Sequence, residues 1–150
     1  MSGFQDALDG VSSLGIDTAP IIYYVEANPR YDALVTEVFT RMDSGMLKGV
    51  TSVVSLAEVL VHPIRRGDLR LAGEYRDLLL NSQNFQVLSV DPDTAEIAAR
   101  IRAEHNLRLP DALQFAVAIE GRCQAFLTND PLLKRVTEIR VLALDDFLAP

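Results

Sequence analysis

Apolar and polar positions follow two repeats along this chain, one typical of β-strands and the other of α-helices. Short apolar or alternating runs predict strands at residues 14–17, 48–51, 85–90, 125–128 and 139–144. Apolar residues three or four positions apart predict helices that begin near residues 18, 31, 52, 69, 91 and 109. Pro63 should end the third of these helices. The fifth should face the core with a row of small and apolar residues, namely Ala95, Ala98, Ala99 and Ile101.

Strands that alternate with helices predict an α/β fold in which helices flank a mainly parallel sheet. The chain has 150 residues and is 49% hydrophobic, which suffices for the core of one domain. We therefore expect a single domain over residues 14–150. Residues 1–13 are mostly polar or small, and we expect them to form a flexible N-terminal extension.

Four acidic residues border apolar segments, where a soluble core has little use for a charge. Asp17 and Asp130 each stand at the carboxyl end of a predicted strand. Asp111 stands at a helix start, and Glu58 interrupts an apolar helix. Ionised carboxylates are rarely buried unless they are paired, hydrogen-bonded or metal-bound, and ligands of parallel sheets collect beyond the carboxyl ends of the strands. We therefore expect the four side chains to converge there on a hard divalent cation, Mg²⁺ or Mn²⁺.

Each acid alone also has a structural explanation. Asp17 and Asp130 can cap the helices that follow them, and Asp111 can interact with the positive end of its helix dipole. Glu58 is harder to explain in this way, because its apolar neighbours at 56, 57 and 59–61 leave almost no polar helical face. A desolvated glutamate at that position should have a raised pKa unless a cation or a donor compensates for the burial.

Composition narrows the range of functions. The net charge of −7 argues against a general nucleic-acid coating protein. The sequence has no Cys/His cluster for zinc, no glycine-rich phosphate loop and no G-x-S-x-G motif, so metal-activated water is favoured over covalent catalysis.

Neither a secretory signal nor a run of about 18 apolar residues is visible, so a cytoplasmic location without membrane association is expected.

Four segments resemble, in order along the chain, those of PIN-domain ribonucleases, above all the VapC-type toxins of bacterial and archaeal toxin–antitoxin pairs. The segments are residues 15–24 (GIDTAPIIYY), 55–58 (SLAE), 109–113 (LPDAL) and 126–130 (FLTND). The resemblance spans about residues 14–145. It implies a three-layer α/β/α PIN-like fold, magnesium- or manganese-dependent endonuclease activity on RNA, a homodimer and inhibition by a partner antitoxin.

The resemblance also implies roles for particular residues. It assigns catalysis and metal binding to the same four acids: Asp17, Glu58, Asp111 and Asp130. Thr18 and Thr128 match polar neighbours in the family's motifs and could orient a ligand or a water molecule. The implied hydrolysis expels the 3′-oxygen and leaves a 5′-phosphate. Many members have asparagine two residues after the first aspartate, where this chain has Ala19, a departure that concerns substrate positioning more than metal binding.

Two other functions remain open from the sequence. A catalytically silent PIN-like module would hold RNA or a protein without cutting, although the intact acids argue against it. A DNA nuclease would use the same acids, because the contacts to the 2′-hydroxyl that distinguish RNA are not readable from the sequence. Basic residues near the acids are candidates for binding phosphates, although a solvated charged face explains them equally well: Arg65, Arg66, Arg70, Lys134 and Arg135.

Overall fold

A computed structural model of the protein describes residues 2–149, which form seven α-helices and five strands. Two short 3-10 helices at Pro131–Arg135 and Leu144–Phe147 complete the described chain. The elements are, in chain order, α1 (Ser2–Leu8), β1 (Ser13–Ile16), α2 (Thr18–Val25), α3 (Asp32–Asp43), β2 (Lys48–Ser52), α4 (Val53–Arg65), α5 (Leu69–Asn81), β3 (Phe85–Leu88), α6 (Pro92–His105), α7 (Leu109–Glu120), β4 (Ala125–Thr128) and β5 (Arg140–Ala143).

The strands form one sheet in the order β3-β2-β1-β4-β5, and all four pairings are parallel. This confirms the expected α/β class and parallel sheet. The chain builds outward from β1 through β2 to β3, and it then returns to the other side of β1 to add β4 and β5. The direction of winding therefore reverses between β1 and β4, and such a switch point leaves a crevice at the carboxyl ends of the two strands.

Side chains alternate between the two faces of the sheet and form two cores. On β4, Ala125 and Leu127 belong to the larger core, which also contains residues of α1 to α5. Phe126 points to the other face and packs with residues of α6 and α7. The sheet therefore lies between two helical layers, as expected for a three-layer α/β/α fold. At the closest approach of α7, a Cβ on Gly15 would lie 2.7 Å from the Cβ of Ala118, so the contact requires glycine.

The N-terminal segment differs from the flexible extension that we expected over residues 1–13. Residues 2–8 form α1, and Phe4 and Leu8 are 0% and 1% exposed within the larger core. Met1 lies outside the described residues. Because Phe4, Ala7 and Leu8 are three and four positions apart, they share one face of a helix, and burial of that face orders the segment.

Two details of the helices also differ from the sequence prediction. Pro63 does not end α4, which continues to Arg65, because a proline near the last turn removes only one of the final backbone hydrogen bonds. In α6, Ala98 and Ile101 are buried as predicted, but Ala95 and Ala99 are exposed and Thr94 takes the core position instead. Among the described residues, every helix is too short or too polar to cross a membrane.

Candidate active site

The four acids line one cavity at the carboxyl edge of the sheet, beside the switch point between β1 and β4. The cavity has a volume of about 230 Å³. Its walls are formed by Asp17, Thr18, Ala19, Ile22, Glu58, Arg108, Asp111 and Asp130. The structure thus brings together the acids that the sequence singled out, while the roles that the resemblance assigns to them stay predictions.

Asp17 directly follows β1 and is fixed through its backbone and both carboxylate oxygens. Its N–H donates to the carbonyl oxygen of Leu127 on β4 at 2.9 Å. Its Oδ1 accepts the Thr18 N–H at 2.8 Å, which caps α2, and its Oδ2 accepts the Thr128 hydroxyl at 2.7 Å. Burial raises the pKa of Asp17 to about 6, and the charges of Asp111 and Glu58 add to this rise, while the bonds from Thr128 and Thr18 oppose it.

Thr128 connects Asp17 to the loop that carries Asp130. Its side chain is fully buried, and its Oγ1 accepts the Asp130 N–H at 3.1 Å while donating to Asp17. Asp130 in turn caps the following 3-10 helix, because its Oδ1 accepts the Leu132 N–H at 3.0 Å. The capping roles considered for Asp17 and Asp130 are therefore real, and each engages Oδ1 of a carboxylate that also lines the cavity.

Glu58 reaches the cavity from α4 and is exposed, so the desolvation expected from its apolar neighbours is wrong. The second turn of α4 carries it at the solvent-facing rim, while Ser55 and Val59 face inward. Thr18 holds the carboxylate in place, since its hydroxyl donates to Glu58 Oε1 at 2.8 Å. Thr18 and Thr128 thus contact Glu58 and Asp17 respectively, and their role in orienting a ligand or a water molecule stays a prediction.

A buried hydrogen-bond network centred on Gln114 connects the helices that carry the cavity residues. Gln114 on α7 is 3% exposed; its Oε1 accepts the Ser52 hydroxyl at 2.6 Å, and its Nε2 donates to Thr18 Oγ1 at 3.2 Å and to Ser55 Oγ. The network ties α7 to α2 and α4, the helices that carry Asp111, Thr18 and Glu58 respectively. Our sequence analysis missed Gln114. The signal was its position as the one polar residue of the apolar run 112–119.

Arg108 is a second residue that the sequence analysis missed, and it is the basic residue that lines the cavity. Its Nε donates to Asp111 Oδ2 at 3.2 Å, with side-chain exposures of 78% for Arg108 and 14% for Asp111. This bond raises the pKa of Arg108, as do the nearby charges of Asp111, Glu58 and Asp130. None of the five predicted basic residues lines this cavity; for example, Arg70 pairs with Glu74 and Lys134 with Asp146.

The donor set of the cavity fits a hard divalent cation. All its candidate ligands are carboxylate or hydroxyl oxygens, and the raised pKa of Asp17 reflects burial and negative potential that a bound cation would offset. The four acids are spread around the cavity wall.

A tighter group of potential metal ligands lies outside this cavity. Within residues 2–149, ligand atoms of Glu104, His105 and Glu138 all lie within 4.8 Å of one another, and His105 Nε2 is 2.7 Å from Glu138 Oε1.

Comparison with solved structures finds similar folds among toxin–antitoxin proteins. A chain of VapBC2 from Rickettsia felis, bound to a promoter DNA fragment, is 14% identical with a TM-score of 0.69, covering 87% of this chain and 98% of that one. A chain of a toxin–antitoxin complex from Klebsiella pneumoniae is 22% identical with a TM-score of 0.66, covering 89% and 98%. VapC20 of Mycobacterium tuberculosis, described as a Sarcin-Ricin loop cleaving toxin, is 21% identical with a TM-score of 0.66, covering 86% and 99%.

A search of curated proteins gives no significant match. The sequence itself matches the family described as PIN domain over residues 15–139. This match includes the last two residues of β1, the whole of β4 and all four cavity acids. The agreement of sequence, fold and acid placement shows that this chain belongs to the PIN domain family.

Proposed function

We propose that this protein is a divalent-metal-dependent endoribonuclease, and that it is the toxin of a toxin–antitoxin pair. The observation that carries the proposal is the convergence of four acids on one cavity at the switch point of a parallel sheet. Burial and two neighbouring carboxylates raise the pKa of Asp17, which means that the ionised carboxylate is destabilised there and that a bound cation would stabilise it.

In this proposal, Asp17, Glu58, Asp111 and Asp130 hold Mg²⁺ or Mn²⁺. A cation bound there supplies Lewis-acid polarisation of the scissile phosphodiester and lowers the pKa of an attacking water molecule. The chain's own residues provide a fixed set of ligands. Thr128 orients the Asp17 carboxylate, Thr18 orients Glu58, and the 230 Å³ cavity leaves the acids accessible to a phosphodiester from solvent.

The structural neighbours favour RNA as the substrate and an antitoxin as the partner. VapC20 is described as a toxin that cleaves the Sarcin-Ricin loop, and other neighbours are toxin–antitoxin complexes. We propose the same class of activity for this chain, together with a homodimeric state, a cytoplasmic location and a neighbouring gene that encodes the antitoxin. DNA cleavage and catalytically silent binding are the outcomes that would replace this proposal.

A panel of RNA oligonucleotides that includes a Sarcin-Ricin loop should be cleaved in the presence of Mg²⁺ or Mn²⁺. We expect no cleavage in chelator, and a 5′-phosphate on the downstream product, because hydrolysis expels the 3′-oxygen. Gel analysis of labelled RNA, and of DNA of the same sequence, measures the extent of cleavage and the end group of the product. Binding of RNA without cleavage under any divalent cation would favour the silent module, and preferential cutting of DNA would favour a DNA nuclease.

Induced expression of the isolated protein should arrest growth, whereas the Asp111→Asn variant at the same cellular level should not. The variant removes one cavity charge and leaves the rest of the surface intact, so it controls for the burden of expression. Co-expression of the neighbouring gene should restore growth, as expected for an antitoxin. Growth curves with matched immunoblots test this, and equal growth of the two strains would contradict the toxin function.

A further inference from the structure

Arg108 places a positive charge at the mouth of a cavity whose other charged residues are acidic. It occupies the N-cap position of α7, and its side chain makes no capping bond to the helix backbone. Instead its guanidinium extends from solvent to Asp111 Oδ2, at 3.2 Å. The acids that face it from the other elements of the cavity are Glu58 on α4 and Asp130 after β4.

Because Arg108 is mostly exposed, its pair with Asp111 adds little to stability. Exposed ion pairs gain little in water, and their long side chains lose conformational freedom when they pair. The partners are unequal, since 78% of the Arg108 side chain is exposed and only 14% of Asp111. The arginine can therefore leave Asp111 for another anion at small cost, whereas Asp111 stays in the cavity.

We propose that Arg108 exchanges partners: it neutralises Asp111 when the cavity holds no cation, and it binds a substrate phosphate once a divalent cation takes Asp111. This inference rests on the metal-dependent nuclease function proposed above. In this proposal the cation competes with the arginine for Asp111, whose Oδ2 accepts the Arg108 hydrogen bond. The arginine therefore weakens cation binding in the absence of nucleic acid, and removing it should tighten that binding.

The released guanidinium has a clear anionic partner. In a chain of net charge −7, a phosphodiester that approaches four carboxylates is repelled, and Arg108 is the basic side chain that lines the cavity. A guanidinium can bind two phosphate oxygens at once, so it suits this contact better than a lysine would. Cation and phosphate then arrive as a pair of opposite charges, which links metal binding to substrate binding.

The test uses the full chain and the variant Arg108→Gln, with Arg76→Gln as a matched control. Arg76 is an exposed arginine on α5 that does not line the cavity. Calorimetric titration with Mn²⁺ should show about fivefold tighter binding to Arg108→Gln than to wild type, since one competing charge is gone. The Arg76→Gln protein should bind Mn²⁺ as wild type does.

The second measurement is the affinity for a fluorescent single-stranded RNA, with Ca²⁺ and with chelator, on RNA checked to be intact. With Ca²⁺, Arg108→Gln should bind about fivefold more weakly, and its log–log salt slope should be shallower by about 0.7, the value of one phosphate contact. In chelator the loss of RNA affinity should be smaller than with Ca²⁺, because Asp111 then competes with the RNA phosphate for Arg108.

The outcomes distinguish this inference from the proposed function. Unchanged Mn²⁺ affinity in Arg108→Gln overturns the competition, and an equal loss of RNA affinity with Ca²⁺ and with chelator overturns the exchange. Either result leaves the nuclease function standing if wild type binds Mn²⁺ and cleaves RNA. A wild-type protein that binds no Mn²⁺ would refute the proposed function and this inference together.

Discussion

Replacing Asp111 with asparagine should reduce RNA cleavage by about a thousandfold or more, while the metal-free protein stays as stable as wild type or becomes more stable. Asparagine keeps the shape of the side chain and retains an oxygen that can accept the Arg108 hydrogen bond. It removes a negative charge that acts on Asp17 inside the cavity. The relief of that repulsion offsets the loss of an exposed ion pair and of a charge at a helix N-terminus, each worth about 1 kcal/mol or less.

The response to magnesium should change in the opposite sense. A cation that binds only the folded state stabilises it by mass action, so wild type should gain melting temperature as Mg²⁺ is added. Asp111→Asn should gain less, because one ligand is missing. Melting curves in chelator and in a Mg²⁺ series, together with cleavage rates, measure all three effects.

Asp93→Asn is the matched control for this experiment. Asp93 is an exposed acid in the first turn of α6, as Asp111 is in the first turn of α7, but it does not line the cavity. Its substitution should lower stability slightly and leave both cleavage and the Mg²⁺ response unchanged. If Asp111→Asn instead lost metal-free stability and kept the wild-type Mg²⁺ response, Asp111 would be a structural carboxylate.

The sheet and the cavity acids were predictable because strong local signals agreed with the tertiary structure. Buried parallel strands appear as short apolar runs, and the residue that follows such a strand lies at its carboxyl edge. The sequence therefore placed Asp17 and Asp130 correctly at the carboxyl ends of β1 and β4. The order of the strands depends on contacts between distant segments, so the switch point between β1 and β4 emerged only from the structure.

The predictions were wrong where the local sequence pattern is weak and tertiary packing determines whether a residue is ordered or buried. Residues 2–8 are too few for a stable isolated helix, and α1 forms because the core accepts Phe4 and Leu8. Ala95 and Ala99 are compatible with either a buried or an exposed helical face, and the contacts of α6 left them outside. Glu58 seemed buried from its apolar neighbours, but α4 carries it at its solvent-facing rim.

The two residues that the sequence analysis missed show a second limit. Gln114 acquires its function from hydroxyls on two other helices and from Ser52, none of which is near it in sequence. Arg108 was overlooked because we sought basic residues after Glu58 and after Asp130, whereas it precedes Asp111 by three positions. A residue three positions before a helical acid is close enough to pair with it, so this signal was readable from the sequence.

The metal-free protein should lose stability as the pH rises from 5 to 8, and Asp17 should account for part of that loss. Its pKa is raised from 3.8 to about 6 in the folded state, mainly by burial. The folded protein therefore binds a proton more tightly than the unfolded chain does. The resulting stabilisation is complete below the unfolded pKa and disappears as the pH passes through about 6.

The size of this effect follows from the shift. One pKa unit corresponds to about 1.4 kcal/mol, so the contribution of Asp17 to the free energy of unfolding changes by about 3 kcal/mol from a pH below 3.8 to a pH above 6. About 1.4 kcal/mol of this change falls between pH 5 and 8. Asp91 and Glu138 have lowered pKa values, so their contributions are lost only at more acidic pH. A comparison of two proteins that differ only at Asp17 removes the contributions of all the other titratable groups.

Asp17→Asn supplies that comparison. The amide keeps an oxygen to cap α2 by accepting the Thr18 N–H, and the Thr128 hydroxyl, which also accepts the Asp130 N–H, can accept the new amide N–H by rotating. Denaturant unfolding in chelator should then show wild type losing about 1.4 kcal/mol relative to Asp17→Asn between pH 5 and 8. A constant difference between the two proteins over this range would contradict the raised pKa.

With magnesium, the stability of wild type should rise with pH between 5 and 8, the opposite of the trend in the metal-free protein. The cation requires the ionised carboxylate, so its stabilising effect grows as Asp17 loses its proton, and it is largest at the pH where the metal-free protein has lost the most. In Asp17→Asn the Mg²⁺ effect should be smaller and nearly independent of pH in this range. A wild-type Mg²⁺ effect that is equal at pH 5 and pH 8 would show that the cation does not bind at Asp17, because proton and cation would then not compete for the same oxygens.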